Sequence, residues 1–317
     1  MKRRKFVTLI GAAAIWPLGA YAQEQKVRRV GALLIGNADM ELFQNELREG
    51  LRELGYIEGQ NILFEFRSAE GILDRLPALA AELVRLKVDV IVALYTPCGL
   101  AAKDATHEVP IVLLTGDPLA TGLVASLARP GGNITGLSMM AAETHGKLIE
   151  LFRDMLPAVR HVAVLTNAAD PVFAKLVLEQ VGLAGRITGI EIQPFTVGGP
   201  EELDAAFAAM AGGRAEAVVI QGSLSTKRVA DLALEHRLPA ASLSRSFADV
   251  GGLMSYGADG PALFRRSALF VHKILQGSKP VDMPVEQPRN SNWLSISRPR
   301  THSASMCLCS SSSAPTR

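Results

Sequence analysis

Cysteine is scarce in this 317-residue chain: of its three cysteines, Cys307 and Cys309 lie near the C-terminus, leaving Cys98 as the single thiol of the body. An internal disulfide is thereby excluded from the body, and so is a zinc site built from paired cysteines. Aromatic residues make up only 5% of the chain, and Trp16 and Trp293 lie near its two ends. Any stacking on a bound molecule falls to Tyr or Phe. No G-x-S-x-G elbow, H-E-x-x-H helix or Walker loop occurs. The body histidines, His107, His145, His161, His236 and His272, are scattered singly and read as surface or cap residues rather than metal ligands. Gly131-Gly132 forms no G-x-G-x-x-G after a strand and reads as a turn. These absences argue for a protein that is not an enzyme and carries no cofactor.

What is present begins with a basic start at Lys2 to Lys5, an apolar run from Phe6 to Ala14, and Ala20 and Ala22 in an A-x-A arrangement. The run is too short to span a bilayer, so residues 1–22 read as an export signal cleaved after Ala22, which predicts a periplasmic protein. Arg3-Arg4 leaves both the general and the twin-arginine export routes open. The formal charge of +2 is misleading, because four basic residues fall in that segment and four more after Pro288, with no acid in either. Without them the body holds 25 basic against 31 acidic residues, near −6. A mildly acidic body gives no support for binding nucleic acid or an anionic membrane surface.

Hydrophobic residues reach 48% and are mostly Ala, Leu and Val, the composition of strands covered by helices on both faces. Short apolar runs at residues 27–35, 88–94 and 111–114 alternate with helical periodicities at 41–54, 73–86 and 98–106 in a βαβ order. A second series starts at 161–165 and repeats the alternation through 239–243. This predicts an α/β protein of two doubly wound, Rossmann-like lobes: 27–138 as the first, 139–250 as the second, and 251–288 returning to the first. Thr121 to Arg129 is expected to be a short helix, Gly251 to Gly257 a hinge strand carrying Ser255 and Tyr256 between the lobes, and 259–276 an amphipathic helix.

Ligands of such sheets bind beyond the carboxyl ends of the strands. The polar residues there are Tyr95 and Thr96 before Pro97, Asp117 before Pro118, Asn167, Asp170 before Pro171, and Gln221 and Ser223. Each has a plainer role beside the functional one. Thr96 is a natural N-cap or a carboxylate site with the free amides of its helix; Tyr95 stacks on a ligand or shields the sheet; Asp117 caps its turn or meets an ammonium. Asn37 and Asp39 lie at the end of the first strand, where capping is the commoner role of an aspartate. Asp170 reads as a cap. Arg245 either pairs with a carboxylate or is a solvated surface group.

The phrases GDPLATGLVASLARPGGNITGLS at 116–138, LAxxHRLPA at 232–240 and GGLMSYG at 251–257 closely resemble a family of ABC-transporter substrate-binding proteins, often labelled tryptophan/tyrosine-type. The resemblance runs over residues 1 to 288. It implies a type I periplasmic-binding-protein fold with hinge strands, closing on a small ligand, and ABC permease and ATPase partners. An amino acid would then be held by Thr96 and Asp117 on one lobe and by Asn167, Gln221 and Ser223 on the other, the chain acting as a monomer. Two other readings of the same pattern are a ligand-sensing module for a signalling receptor and a hydrolase or transferase on a Rossmann-like scaffold.

The tail 289–317 departs from the family, which continues with a strand and a helix completing the first lobe. This chain continues as RNSNWLSISRPRTHSASMCLCSSSSAPTR, without usable periodicity. A codon choice exists whose reading one base out of frame gives approximately TKFELVVNLKTANALGL, so the tail reads as a frameshift, and the first lobe is expected to lose apolar cover.

Overall fold

A computed structural model describes residues 27–287 and 292–296; the expected signal segment lies outside them, as does most of the tail. The apolar runs become strands because each is buried on both faces. β1 (Arg28–Leu34), β2 (Ile62–Ser68), β3 (Val90–Leu94), β4 (Ile111–Thr115) and β5 (Ile134–Ser138) form a parallel sheet in the order β2-β1-β3-β4-β5.

Side chains alternate across this sheet with the two-residue period of a strand. Val30, Ala32, Leu34, Val90, Val92, Val112 and Leu114 face one side, where Phe43, Leu47 and Leu51 of α1 (Met40–Glu53) pack. Leu33, Ile91, Ala93, Ile111 and Leu113 face the other, under α2 (Leu76–Arg85) and α3 (Thr96–Ala105). Each such side chain is withdrawn from water, at about 1.5–3 kcal/mol of burial for each Val, Leu, Ile and Phe.

The second lobe repeats the plan. α4 (Ala141–Met155), β6 (His161–Asn167), α5 (Pro171–Thr188), β7 (Glu191–Val197), α6 (Leu203–Gly212), β8 (Ala217–Ile220), α7 (Lys227–Glu235), β9 (Ala240–Ser242), α8 (Arg245–Asp249) and β10 (Met254–Ala258) follow in order. The strands lie as β10-β9-β8-β6-β7, all parallel. α4 and α5 cover one face and α6 and α7 the other. Among the described residues no helix is long and apolar enough to cross a membrane.

The chain then returns to the first lobe as α9 (Gly260–Leu275), whose Leu263, Phe264 and Val271 complete the core under α1. Gly50 permits that packing: a Cβ there would lie 2.7 Å from the Ala268 Cβ and 2.9 Å from the Arg265 carbonyl. Phe43 meets Phe264 edge to face at 5.5 Å, and the Tyr56 hydroxyl lies 3.1 Å from His272 Nδ1. The outer edge of β5 is covered by the segment at Glu286, which donates to the Gly136 carbonyl and accepts from the Ser138 amide.

Four expectations are corrected. Residues 121–129 form turns instead of a helix: Gly122 adopts φ +72°, the Lys103 ammonium holds the Gly122 carbonyl, and Ser126 bonds with Arg129 locally. Gly251 to Gly257 is no hinge; its strand, β10, pairs with β9 inside the second sheet, so Ser255 and Tyr256 lie there and the return to the first lobe begins one element later. The helix at α3 starts at Thr96, so Thr96 is not its N-cap. Within the tail, the backbone of Asn292–Ile296 forms a strand, β11, antiparallel to β10 at the edge of the second sheet; the sequence reading assigned no order there.

Candidate functional site

The carboxyl ends of both sheets face each other across a cleft lined by residues of both lobes, the place where ligands of open α/β sheets bind. Its first-lobe wall is mostly apolar: Leu42, Met139, Leu263 and Phe264, with Asp39, Tyr95 and Thr96 among them. The second lobe supplies His145, Asp170, Phe173, Gln221, Ser223, Ser244 and Arg245. Helix starts at α3, α5 and α9 open on the cleft through Thr96, Asp170 and Gly260; those of α5 and α9 are capped by Asp170 and Asp259, while α3 has no side-chain cap and its free amides favour an anionic group.

The lobes touch through specific bonds. The Asn37 amide donates to the Gly222 carbonyl at 3.2 Å and the Ala38 N–H to the Ser225 carbonyl at 2.8 Å. Asp39 accepts from the Ser244 hydroxyl at 2.5 Å and from the Tyr95 hydroxyl. Burial raises the Asp39 carboxyl despite these donors, and burial followed by the neighbouring Asp39 charge pushes the Tyr95 hydroxyl well up. Asp39 forms no side-chain cap on α1; one of its oxygens joins the lobes through Ser244 and the other holds Tyr95 of its own lobe.

Tyr95 sits at φ +73°, ψ +159°, a region used almost exclusively by glycine and costing about 1–3 kcal/mol. Its N–H bonded to Leu114 and its carbonyl to Gly99 hold it there. The consequence is that the ring turns from the end of β3 into the cleft, against Gly222, where a Cβ would come within 3.2 Å of it.

Asp170 lines the cleft at the N-cap of α5, accepting from the Phe173 N–H at 3.2 Å, and Thr96 lines the same cleft from the other lobe. Burial outweighs the Phe173 amide and the Thr96 hydroxyl, which both favour the charged form, and raises its carboxyl to about 6. His145 is fully buried; its Nδ1 lies 2.5 Å from the Ala141 carbonyl, and burial lowers it to about 4. Phe173 meets His145 edge to face and reaches across to Gly116, where any Cβ would fall 2.5 Å from its ring.

Of the residues singled out in the sequence, Tyr95, Thr96, Gln221 and Ser223 come together in the cleft. Asp117 does not line it: its carboxylate takes the amides of Leu119 and Ala120, the capping role. Asn167 does not line this cleft: its N–H holds the Gln221 side chain at 2.9 Å and its amide reaches Ser223 at 3.3 Å. It therefore orients two cleft residues while lining a neighbouring space between the lobes with Gly36, Glu70 and Pro200. Ser255 and Tyr256 lie in β10, outside the lining. His145 and Phe173 were missed; the signal was their place near the start of a helix entering at a strand end, Phe173 in the first turn of α5 and His145 one turn beyond Ala141 in α4.

A family model described as "ABC transporter substrate binding protein" matches residues 32–295. The chain belongs to this family. A tyrosine-binding protein of Clostridioides difficile is 25% identical over 266 residues, 82% of this chain and 76% of that protein. A conserved domain protein from Vibrio cholerae superposes with a TM-score of 0.77 at 26% identity, over 86% of this chain and 92% of its own. An ABC domain from Streptococcus pneumoniae in complex with L-Trp gives 0.75 at 23% identity, over 84% and 91%. The two-lobed architecture is that of the type I periplasmic binding proteins, and the family comprises substrate-binding proteins rather than enzymes.

Proposed function

We propose that this family member is exported, encloses an amino acid between its lobes and delivers it to an ABC permease driven by an ATPase, acting as a monomer in the periplasm. The observation that carries the amino-acid reading is that Asp170 of one lobe and Thr96, at the start of α3 in the other, line the same cleft. An acid and a helix start without a side-chain cap thus share one site. Asp170 takes the ammonium; the α3 amides, with Arg245 at the rim, take the carboxylate. Arg245 is exposed and has no ion-pair partner among the described residues. This moves the ammonium role from Asp117 to Asp170. Gln221 and Ser223 add neutral donors and acceptors positioned by Asn167. The relatives named for tyrosine and L-Trp support the ligand class.

Each lobe alone offers half of these groups, so a ligand that bridges them favours the closed form by its differential affinity. Export rests on the segment 1–22. The test is a thermal-shift screen of the single amino acids on the full chain, followed by calorimetry. Saturable binding of at least one amino acid, recovered unchanged, is expected; turnover of the ligand or indifference to all of them contradicts the reading.

A further inference from the structure

The cleft is lined by a residue with an acceptor that none of the described residues satisfies. Because His145 Nδ1 lies 2.5 Å from a carbonyl oxygen, it is the nitrogen that carries the proton and donates. Nε2 is left as a bare lone pair. That atom is buried and has no hydrogen-bond partner. The other orphaned buried side-chain atoms among the described residues belong to Asn37, Thr115 and Gln193, none of which lines the cleft. Leaving a buried acceptor unmade costs free energy, and here the cost falls where the ligand binds.

The surroundings define the donor. His145 is packed against Phe173, whose ring lies edge to face at 6.2 Å, with Met139 and Ala141 sharing the lining. Burial keeps the imidazole neutral at physiological pH, and no nearby carboxylate offsets that. An ammonium would bring three N–H groups to one lone pair in an apolar corner; Asp170 suits it better. A single neutral N–H or O–H on an otherwise apolar body matches one lone pair beside an aromatic ring.

On the amino-acid reading of the cleft, we infer that His145 is a specificity-determining residue, whose Nε2 accepts a hydrogen bond from a neutral donor on the ligand's apolar side chain. Ligands that lack the donor leave the nitrogen unpaired and are discriminated against, as sites built around a hydrogen bond reject analogues without it.

The test is calorimetry on the full chain with two matched pairs: tyrosine against phenylalanine, and tryptophan against 3-benzothienylalanine, in which sulfur replaces the indole N–H. In at least one pair the donor-bearing member is expected to bind about 10-fold or more tightly than its partner. His145→Phe is expected to erase that preference, and His145→Gln, which keeps an acceptor, to retain part of it. Equal binding within both pairs in the unaltered protein, which requires no variant to fold, overturns the inference; so does a preference that survives His145→Phe. If none of the four binds while an aliphatic amino acid does, this inference falls and the amino-acid reading stands. If no amino acid binds, both fall.

Discussion

Two turns of this molecule look alike in sequence and differ in use: Asp117-Pro118 at the end of β4 and Asp170-Pro171 at the end of β6. Both aspartates follow an apolar strand, precede proline and accept backbone amides of the next turn. Asp117 spends its carboxylate on its own turn, at the side of the first lobe. Asp170 faces the other lobe, whose Thr96 lines the same cleft. The turns also touch, since Gly116 precedes one and carries no Cβ where the Phe173 ring, from the other, rests. What separates a cap from a binding group is therefore the surface opposite it, which no local motif encodes.

The largest expected effect separates the two aspartates directly. Asp170→Ala should lower amino-acid affinity about 100-fold or more, because a buried ammonium loses its counter-charge. Asp117→Ala should leave affinity within about threefold and cost about 1 kcal/mol of stability, the worth of a cap. Calorimetry and denaturant melts read both.

The next effect concerns pH. Asp170 has a folded pKa near 6, above its unfolded value, so the folded state holds the proton more tightly and stability falls as pH rises from about 4 to about 6. His145, lowered to about 4, acts in the opposite sense over nearly the same window: its stability is present above about 6.5 and is lost as pH falls towards 4. Asp170→Asn should remove the first contribution alone. Relative to the unaltered protein, the variant should gain about 2 kcal/mol between pH 4 and pH 7, measured by urea unfolding at each pH.

Gly116→Ala should then cost about 1–2 kcal/mol and about 10-fold in affinity, because the Phe173 ring must leave the cleft wall. The smallest effect is that of Thr96→Val, about fivefold in affinity. A double-mutant cycle with Asp170→Asn should show that the two substitutions are not additive.

Much of the fold was legible because burial on both faces writes itself as continuous apolar runs. β8 and β6, for example, need no context to be read as strands. Capping was legible at Asp170, whose side chain caps α5 by accepting from the Phe173 N–H. The site was less so. Thr96 was placed correctly, but as a cap; the helix begins at Thr96 itself because Tyr95 takes a conformation that the sequence does not signal. Asn167 mirrors Thr96 in the alternation, yet its side chain turns to Ser223. His145 falls on the buried side of α4, where a histidine reads as an isolated polar residue, and its role depends on a carbonyl one turn away. The turns at 121–129 carried a helix-like composition that Gly122 overrides.

The central claim is that the lobes close on an amino acid held by the Asp170 turn. Leu119 and Val172, two residues beyond each aspartate, are both about half exposed, at 48% and 49%. Nitroxides on Leu119→Cys and Val172→Cys, with Cys307 and Cys309 replaced by serine, report the distance between the two turns by pulsed electron spin resonance. The account predicts that a bound amino acid shortens that distance in the parent and in Asp117→Ala, and leaves it unchanged in Asp170→Ala. A distance that stays constant on saturation with a ligand shown to bind would contradict it.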